Sequence, residues 1–139
     1  NLPEMEALTE LPLSTYEEKE KAAKYLLDGG AKAILLKGGH EEGDIKTDIL
    51  FTPSANGIQS SLFSSESIPT RNIHGTGCTL SSAITAYLAR GHKLEEAITA
   101  AKKFITEAIR SGSDIEIGQG FGPVNHGFNP LKMQVHVNP

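Results

Sequence analysis

The spacing of apolar residues marks out the elements of this chain. Asn1-Leu2-Pro3-Glu4-Met5-Glu6-Ala7-Leu8 reads as a short helix, with Pro3 early enough to be tolerated and Asn1 as its cap. Ser14-Thr15-Tyr16-Glu17-Glu18 holds two overlapping capping boxes, Ser14 with Glu17 and Thr15 with Glu18. Behind them Ala22, Ala23, Leu26 and Leu27 form one stripe, which predicts a helix from about Thr15 to Asp28. The acids and lysines from Glu17 to Lys24 make its solvated face, and Gly29-Gly30 ends it. Ala33-Ile34-Leu35-Leu36 is a continuous apolar run, the pattern of a strand buried on both faces in a parallel sheet. After a polar connection from Glu41 to Lys46, Asp48–Thr52 and Ile58–Phe63 read as the two strands of a hairpin. Their turn spans Pro53 to Gly57, with Asn56-Gly57 as its signal.

The second half carries two helical patterns. Leu80, Ala83, Ile84, Tyr87 and Leu88 share one face, and Gly91 sits where a C-terminal cap belongs. Leu94, Ala97, Ile98, Ala101, Ile105, Ala108 and Ile109 form the clearest face, opposed by Glu95, Glu96, Lys102, Lys103 and Glu107 and closed by Gly112. The segment Ser64 to Asn72 leads towards the first of these helices, with Ile68 and Ile73 expected in apolar surroundings. Residues 118–127 are loop-like and fit two readings, closure over a ligand or a course along the surface. Alternating strand and helix signals predict an α/β fold, with helices packed on a largely parallel sheet.

Composition narrows the classes. A chain of 139 residues with 38% apolar residues suits one domain with a core. A net charge of −4 without a basic cluster argues against a nucleic-acid surface. No run of about 18 apolar residues predicts a membrane span, and no signal-peptide pattern is visible. One cysteine excludes an internal disulfide and is compatible with a reducing cytosol. The five histidines have no metal-ligand spacing and read as structural or solvent-exposed. The chain opens on Asn1 without a methionine, inside what reads as the middle of a motif, so it is expected to be a fragment or a piece cleaved from a longer chain.

Candidate chemistry centres on His74-Gly75-Thr76-Gly77-Cys78-Thr79-Leu80-Ser81-Ser82-Ala83. A glycine loop that opens a helix leaves backbone N–H groups free, and the helix dipole adds positive potential there. A cysteine in that first turn has its thiolate favoured. The local pattern also fits a tight turn with a small buried cysteine. Lys37, at the carboxyl end of a predicted strand, could reach a phosphate or be an ordinary surface lysine. Asn1 and Glu4 fit a helix cap with solvated acids, or a magnesium site of one amide and one carboxylate acting through water.

Four stretches together resemble one family. Asn1-Leu2-Pro3-Glu4 resembles the N-x-x-E motif of the ribokinase-like kinases, and Lys37-Gly38-Gly39-His40 the K-G-G-H of their vitamin-kinase branch. His74 to Ser82 resembles the anion-hole motif, G-x-G followed by aspartate or cysteine. Gly120-Phe121-Gly122-Pro123-Val124-Asn125-His126 resembles the closing segment of the hydroxymethylpyrimidine and phosphomethylpyrimidine kinases of thiamine biosynthesis. Cysteine at position 78, where most of the superfamily carries aspartate, points to that group and to the short pyridoxal kinases related to it. The resemblance covers all 139 residues but corresponds to the carboxyl-terminal half of a single ribokinase-like domain.

The resemblance implies ATP-dependent phosphorylation of hydroxymethylpyrimidine and its monophosphate, with magnesium, in the cytoplasm. A short-type pyridoxal kinase, or a non-catalytic fragment keeping an anion site, is the alternative. Gly75, Thr76, Gly77 and Cys78 would donate N–H groups to phosphoryl oxygens, and Cys78 would deprotonate or position the substrate hydroxymethyl group. Lys37 would neutralise nucleotide phosphate charge, lying near Cys78 across a shared cleft, and Asn1 and Glu4 would hold magnesium through water. The amino-terminal half, which in the family supplies most of the substrate pocket, would be a required partner, and a homodimer is implied. The fragment alone is expected to be inactive.

Overall fold

Helix α1 (Leu2–Thr9) starts where the sequence signal places it. Asn1 caps it, its side chain accepting the Glu4 N–H while the Glu4 carboxylate accepts from the Asn1 backbone nitrogen. Helix α2 (Tyr16–Asp28) uses one of the two possible capping boxes. Thr15 accepts the Glu18 N–H, and the Glu18 carboxylate accepts the N–H groups of both Ser14 and Thr15. The Glu18 carboxylate thus takes both backbone N–H groups, the Ser14–Glu17 box does not form, and Glu17 stays exposed.

The computed structural model describes residues 1–38 and 43–130. These fall into two compact units, one within residues 1–67 and the other from residue 68 on. In the first unit, α1 and α2 accompany a three-stranded sheet of β1 (Ile34–Leu36), β2 (Ile45–Ser54) and β3 (Gly57–Glu66), in the order β1-β2-β3. Phe51 and Ala22 are wholly buried in its core, with Met5, Leu13, Ala23 and Leu36 around them.

The described strands pair antiparallel, so the parallel neighbours expected for Ala33–Leu36 are not among them. Ile34, Leu35 and Leu36 face Phe51, Leu50 and Ile49. The connection from Leu36 to Ile45 is too short for the crossover of about a dozen residues that parallel pairing needs. The hairpin is longer than its apolar pattern, running in register from Ser54 opposite Gly57 to Ile45 opposite Glu66. Its outer pairs rest on backbone bonds and on hydroxyl contacts such as Thr47 Oγ1 to Ser64 Oγ (3.0 Å), which leave no apolar trace. Pro53, expected in the turn, lies in β2. Gly57 alone takes a positive φ (118°), directly after Ala55-Asn56.

The second unit is a helical pair. Helix α3 (Thr76–Ala89) and helix α4 (Leu94–Gly112) bury Leu80, Ala101, Ile105 and Ala108 together with Val124. The predicted face of α4 is the buried one, with a correction at Lys102, which is buried rather than on the polar face. Ile73 is exposed, contrary to expectation, because its carbonyl rather than its side chain holds the loop. Gly112 is the last helical residue rather than a left-handed cap. A Cβ there would sit 3.0 Å from the Asn125 nitrogen.

Phe51 has no exposure to give up, so Phe51→Ala should remove about 3–5 kcal/mol from the first unit. Urea unfolding followed by far-ultraviolet circular dichroism would show it.

Candidate active site

The chain enters α3 through Gly75, the N-cap residue, at φ 85°. That left-handed conformation is open to glycine because no Cβ meets the following carbonyl. No side chain caps the helix. Thr76 turns both of its donors inward: its N–H (3.2 Å) and its Oγ1 (2.6 Å) donate to the Ile73 carbonyl. The Thr79 N–H donates to the Gly75 carbonyl (2.8 Å). Between them, the N–H groups of Gly77 and Cys78 have no acceptor among the described residues. They point from the positive end of a helix of 14 residues. Cys78 is exposed in the same turn.

The tail segment runs alongside this loop. The His74 N–H donates to the Gly122 carbonyl (3.0 Å) and the Val124 N–H to the His74 carbonyl (3.4 Å), forming a short parallel bridge. The Asn125 N–H donates to the Ala108 carbonyl (2.9 Å). Thr79 Oγ1 and His126 Nε2 share a hydrogen bond of 2.7 Å. Residues 122–126 thus form a strap tied both to the loop and to α4, with Val124 in the core. A cavity of about 550 Å3 opens beside the first turn, lined by Cys78, Thr79, Ser82, Tyr87, Phe104 and His126 among others. The sequence offered no sign of the Thr79–His126 pair, because neither residue breaks a periodic pattern.

Asn1, Glu4 and Lys37 belong to the first unit, and Gly75–Cys78 to the second. Lys37 is half-buried just past β1. Gly39 and His40, the rest of the K-G-G-H resemblance, lie outside the described residues. The backbone after Lys37 is fixed by Asp48, which is 4% exposed and whose Oδ1 accepts the Gly38 N–H (3.0 Å). The signal for this role was a lone acid heading the apolar run Ile49-Leu50-Phe51.

The Glu4 carboxyl is held below its ordinary value. The main cause is the hydrogen bond from the Asn1 amino group (2.7 Å), and the charge of that group, the Asn1 side chain and the Lys37 charge act the same way. Lys37 is thus within electrostatic reach of Glu4. Among the described residues no group of three or more His, Cys, Asp or Glu side chains could hold a metal directly. An ion that keeps most of its own waters still fits the exposed Glu4 carboxylate. Asn1 suits that role less well, since its side-chain oxygen already accepts the Glu4 N–H. No helix among the described residues is long and apolar enough to cross a membrane.

Two measurements check this geometry. Because the Glu4 value is depressed, its capping bond is present above the ordinary glutamate range and is lost as pH falls through the lowered value. A carboxyl carbon NMR titration should place that midpoint low, and acetylating the Asn1 amino group should raise it. Separately, Thr79→Val should remove the strap's bond to α3 and cost about 1 kcal/mol in thermal unfolding.

The chain matches the phosphomethylpyrimidine kinase family model over residues 1–125. It is 47% identical over 126 residues to the thiamine biosynthesis bifunctional protein ThiED of Geobacter sulfurreducens, covering 91% of this chain and 24% of that protein. It is 44% identical over 136 residues to a hydroxymethylpyrimidine/phosphomethylpyrimidine kinase of Staphylococcus aureus, covering 96% of this chain and 47% of the relative. The chain thus spans about half the length of that kinase. The fold is similar to the pyridoxal kinase of Staphylococcus aureus in complex with ADP, at a TM-score of 0.80 and 32% identity over 91% of this chain and 46% of the other. The α/β arrangement is therefore the ribokinase-like one that the motifs implied, and the chain belongs to the phosphomethylpyrimidine kinase family.

Proposed function

We propose that this chain is the carboxyl-terminal half of an ATP-dependent kinase that phosphorylates 4-amino-5-hydroxymethyl-2-methylpyrimidine and its monophosphate. One observation carries the reading: an uncapped helix opened by a left-handed glycine, with free N–H groups at Gly77 and Cys78 and the thiol in the same turn. Such donors suit oxygens on which charge grows during phosphoryl transfer, a reaction that needs mostly positioning and electrostatics. The names of the relatives supply the substrate, and the ADP complex of the pyridoxal kinase supports a nucleotide as the phosphoryl donor.

In this reading Gly75 sets the turn, Gly77 and Cys78 donate their N–H groups, and Thr76 fixes the loop on Ile73 rather than donating to phosphate. Cys78 deprotonates or positions the substrate hydroxymethyl group. Lys37 neutralises charge on the nucleotide phosphates. Magnesium, held by Glu4 through water with Asn1 nearby, would supply further charge neutralisation at those phosphates. The pyrimidine pocket is completed by an amino-terminal half, in a cytoplasmic enzyme that acts as a homodimer. A pyridoxal kinase of the short type is the second reading, favoured by the likeness to the Staphylococcus aureus pyridoxal kinase.

The test joins these 139 residues to the amino-terminal half of the Staphylococcus aureus relative and assays the chimera with ATP, magnesium and either hydroxymethylpyrimidine or pyridoxal. Pyrimidine phosphorylation is expected, with Cys78→Ala lowering kcat by about 10²-fold or more while ATP affinity stays nearly intact. Preference for pyridoxal selects the second reading. Full turnover by the 139-residue chain as a monomer would sink the half-enzyme reading.

A further inference from the structure

We propose that Asn72 is a positioning residue for the Gly75–Cys78 loop. The consequence for nucleotide binding rests on the kinase reading above, whereas the placement of the loop does not. Asn72 lies three residues before the N-cap and is 8% exposed. Its Nδ2 donates to the Gly112 carbonyl and to the Ile115 carbonyl, both at 2.6 Å. Two carbonyls facing one end of a carboxamide admit only its nitrogen, so the orientation of the side chain is fixed. Its backbone N–H donates to Thr70 Oγ1 (3.1 Å), and that hydroxyl donates to the Ser113 carbonyl (3.0 Å). The entry to α3 is thereby fastened to the end of α4 through two side chains.

The same carboxamide also shapes the strap. It lies so close to Gly122 that a Cβ on that residue would overlap it. Gly122 in turn accepts the His74 N–H through its carbonyl, one residue before the N-cap. Asn72 therefore touches the end of α4 and the strap from within the loop's own segment. None of its atoms needs to reach a phosphate. It acts by setting where the Gly77 and Cys78 donors stand, and a misplacement of about 1 Å in such a constellation costs about 10²-fold in rate.

The test compares Asn72→Ala, Gly122→Ala and the double variant in the 139-residue chain joined to the amino-terminal half of the Staphylococcus aureus relative. Amide NMR shifts of Gly75, Gly77 and Cys78 report the loop, those of Thr85 to Ala89 the rest of α3, and calorimetry the affinity for magnesium-ADP. Asn72→Ala should move the loop amides, leave Thr85 to Ala89 in place and weaken magnesium-ADP roughly tenfold. Gly122→Ala should do the same alone yet add little on top of Asn72→Ala, because the truncated side chain makes room for the methyl group. Loop amides unmoved by Asn72→Ala, or effects of the two substitutions that simply add, would overturn the proposal. Should Asn72→Ala not fold, Gly122→Ala decides alone: shifted loop amides support the proposal, and unshifted ones overturn it. A parent chain that binds no magnesium-ADP counts against the kinase reading, and the loop amides then judge Asn72.

Discussion

A helix that starts without a side-chain cap must have its first N–H groups answered by something else. That constraint organises the second unit. Gly75 turns the chain into α3 with no side-chain oxygen to offer, and Thr76 directs both of its donors back onto Ile73. What is left is a pair of N–H groups at Gly77 and Cys78 at the positive end of the helix. A protein that wanted only a stable helix would place Ser, Thr, Asp or Asn at the cap, at a gain over glycine of roughly a few tenths of a kcal/mol. Helices α1 and α2 have such caps, in Asn1 and Thr15. Among the described residues α4 also begins without a side-chain cap bond, so the contrast is between the capped starts of α1 and α2 and the glycine-opened start of α3.

Rigidity around that open end comes from polar groups inside the unit. The strap is bonded at His74, Ala108 and Thr79, and Val124 anchors it in the core of α3 and α4. Among the described residues no buried side-chain nitrogen or oxygen lacks a partner. Buried polar groups that are fully bonded favour one arrangement over its near neighbours, since any shift leaves a donor or acceptor stranded. On the reading proposed above, that uniqueness matters more to the Gly77 and Cys78 donors than the net energy of the bonds.

Elements governed by local rules were legible in the sequence. The face of α4 repeats over five turns, the box at Thr15 is a local pattern, and Asn56-Gly57 marks its hairpin. The α3 loop was legible for the same reason, its glycines and Cys78 being adjacent in sequence. Features made by distant partners were not. The direction of β1 depended on the length of a connection rather than on its apolar run. Lys102 sits at a position whose periodicity reads as polar, yet packing buries it. Gly112 and Gly122 read as punctuation, whereas each marks a close approach, to Asn125 and to Asn72. Asp48 and Asn72 carry out their roles through bonds to residues 10 and 40 or more positions away, which no local window contains.

The division of the chain into units has a consequence for how it is made. Each unit takes its core from one contiguous stretch of sequence, residues 1–67 for the first and the residues after them for the second. Loop closure within such a block is short, and the two ten-residue strands of the hairpin meet across only two intervening residues. Synthesis from the amino end therefore delivers the described core partners of Phe51 before α3 leaves the ribosome. The first core can close while the glycine loop is still unmade, so the turn into α3 is the later of the two structures to be born.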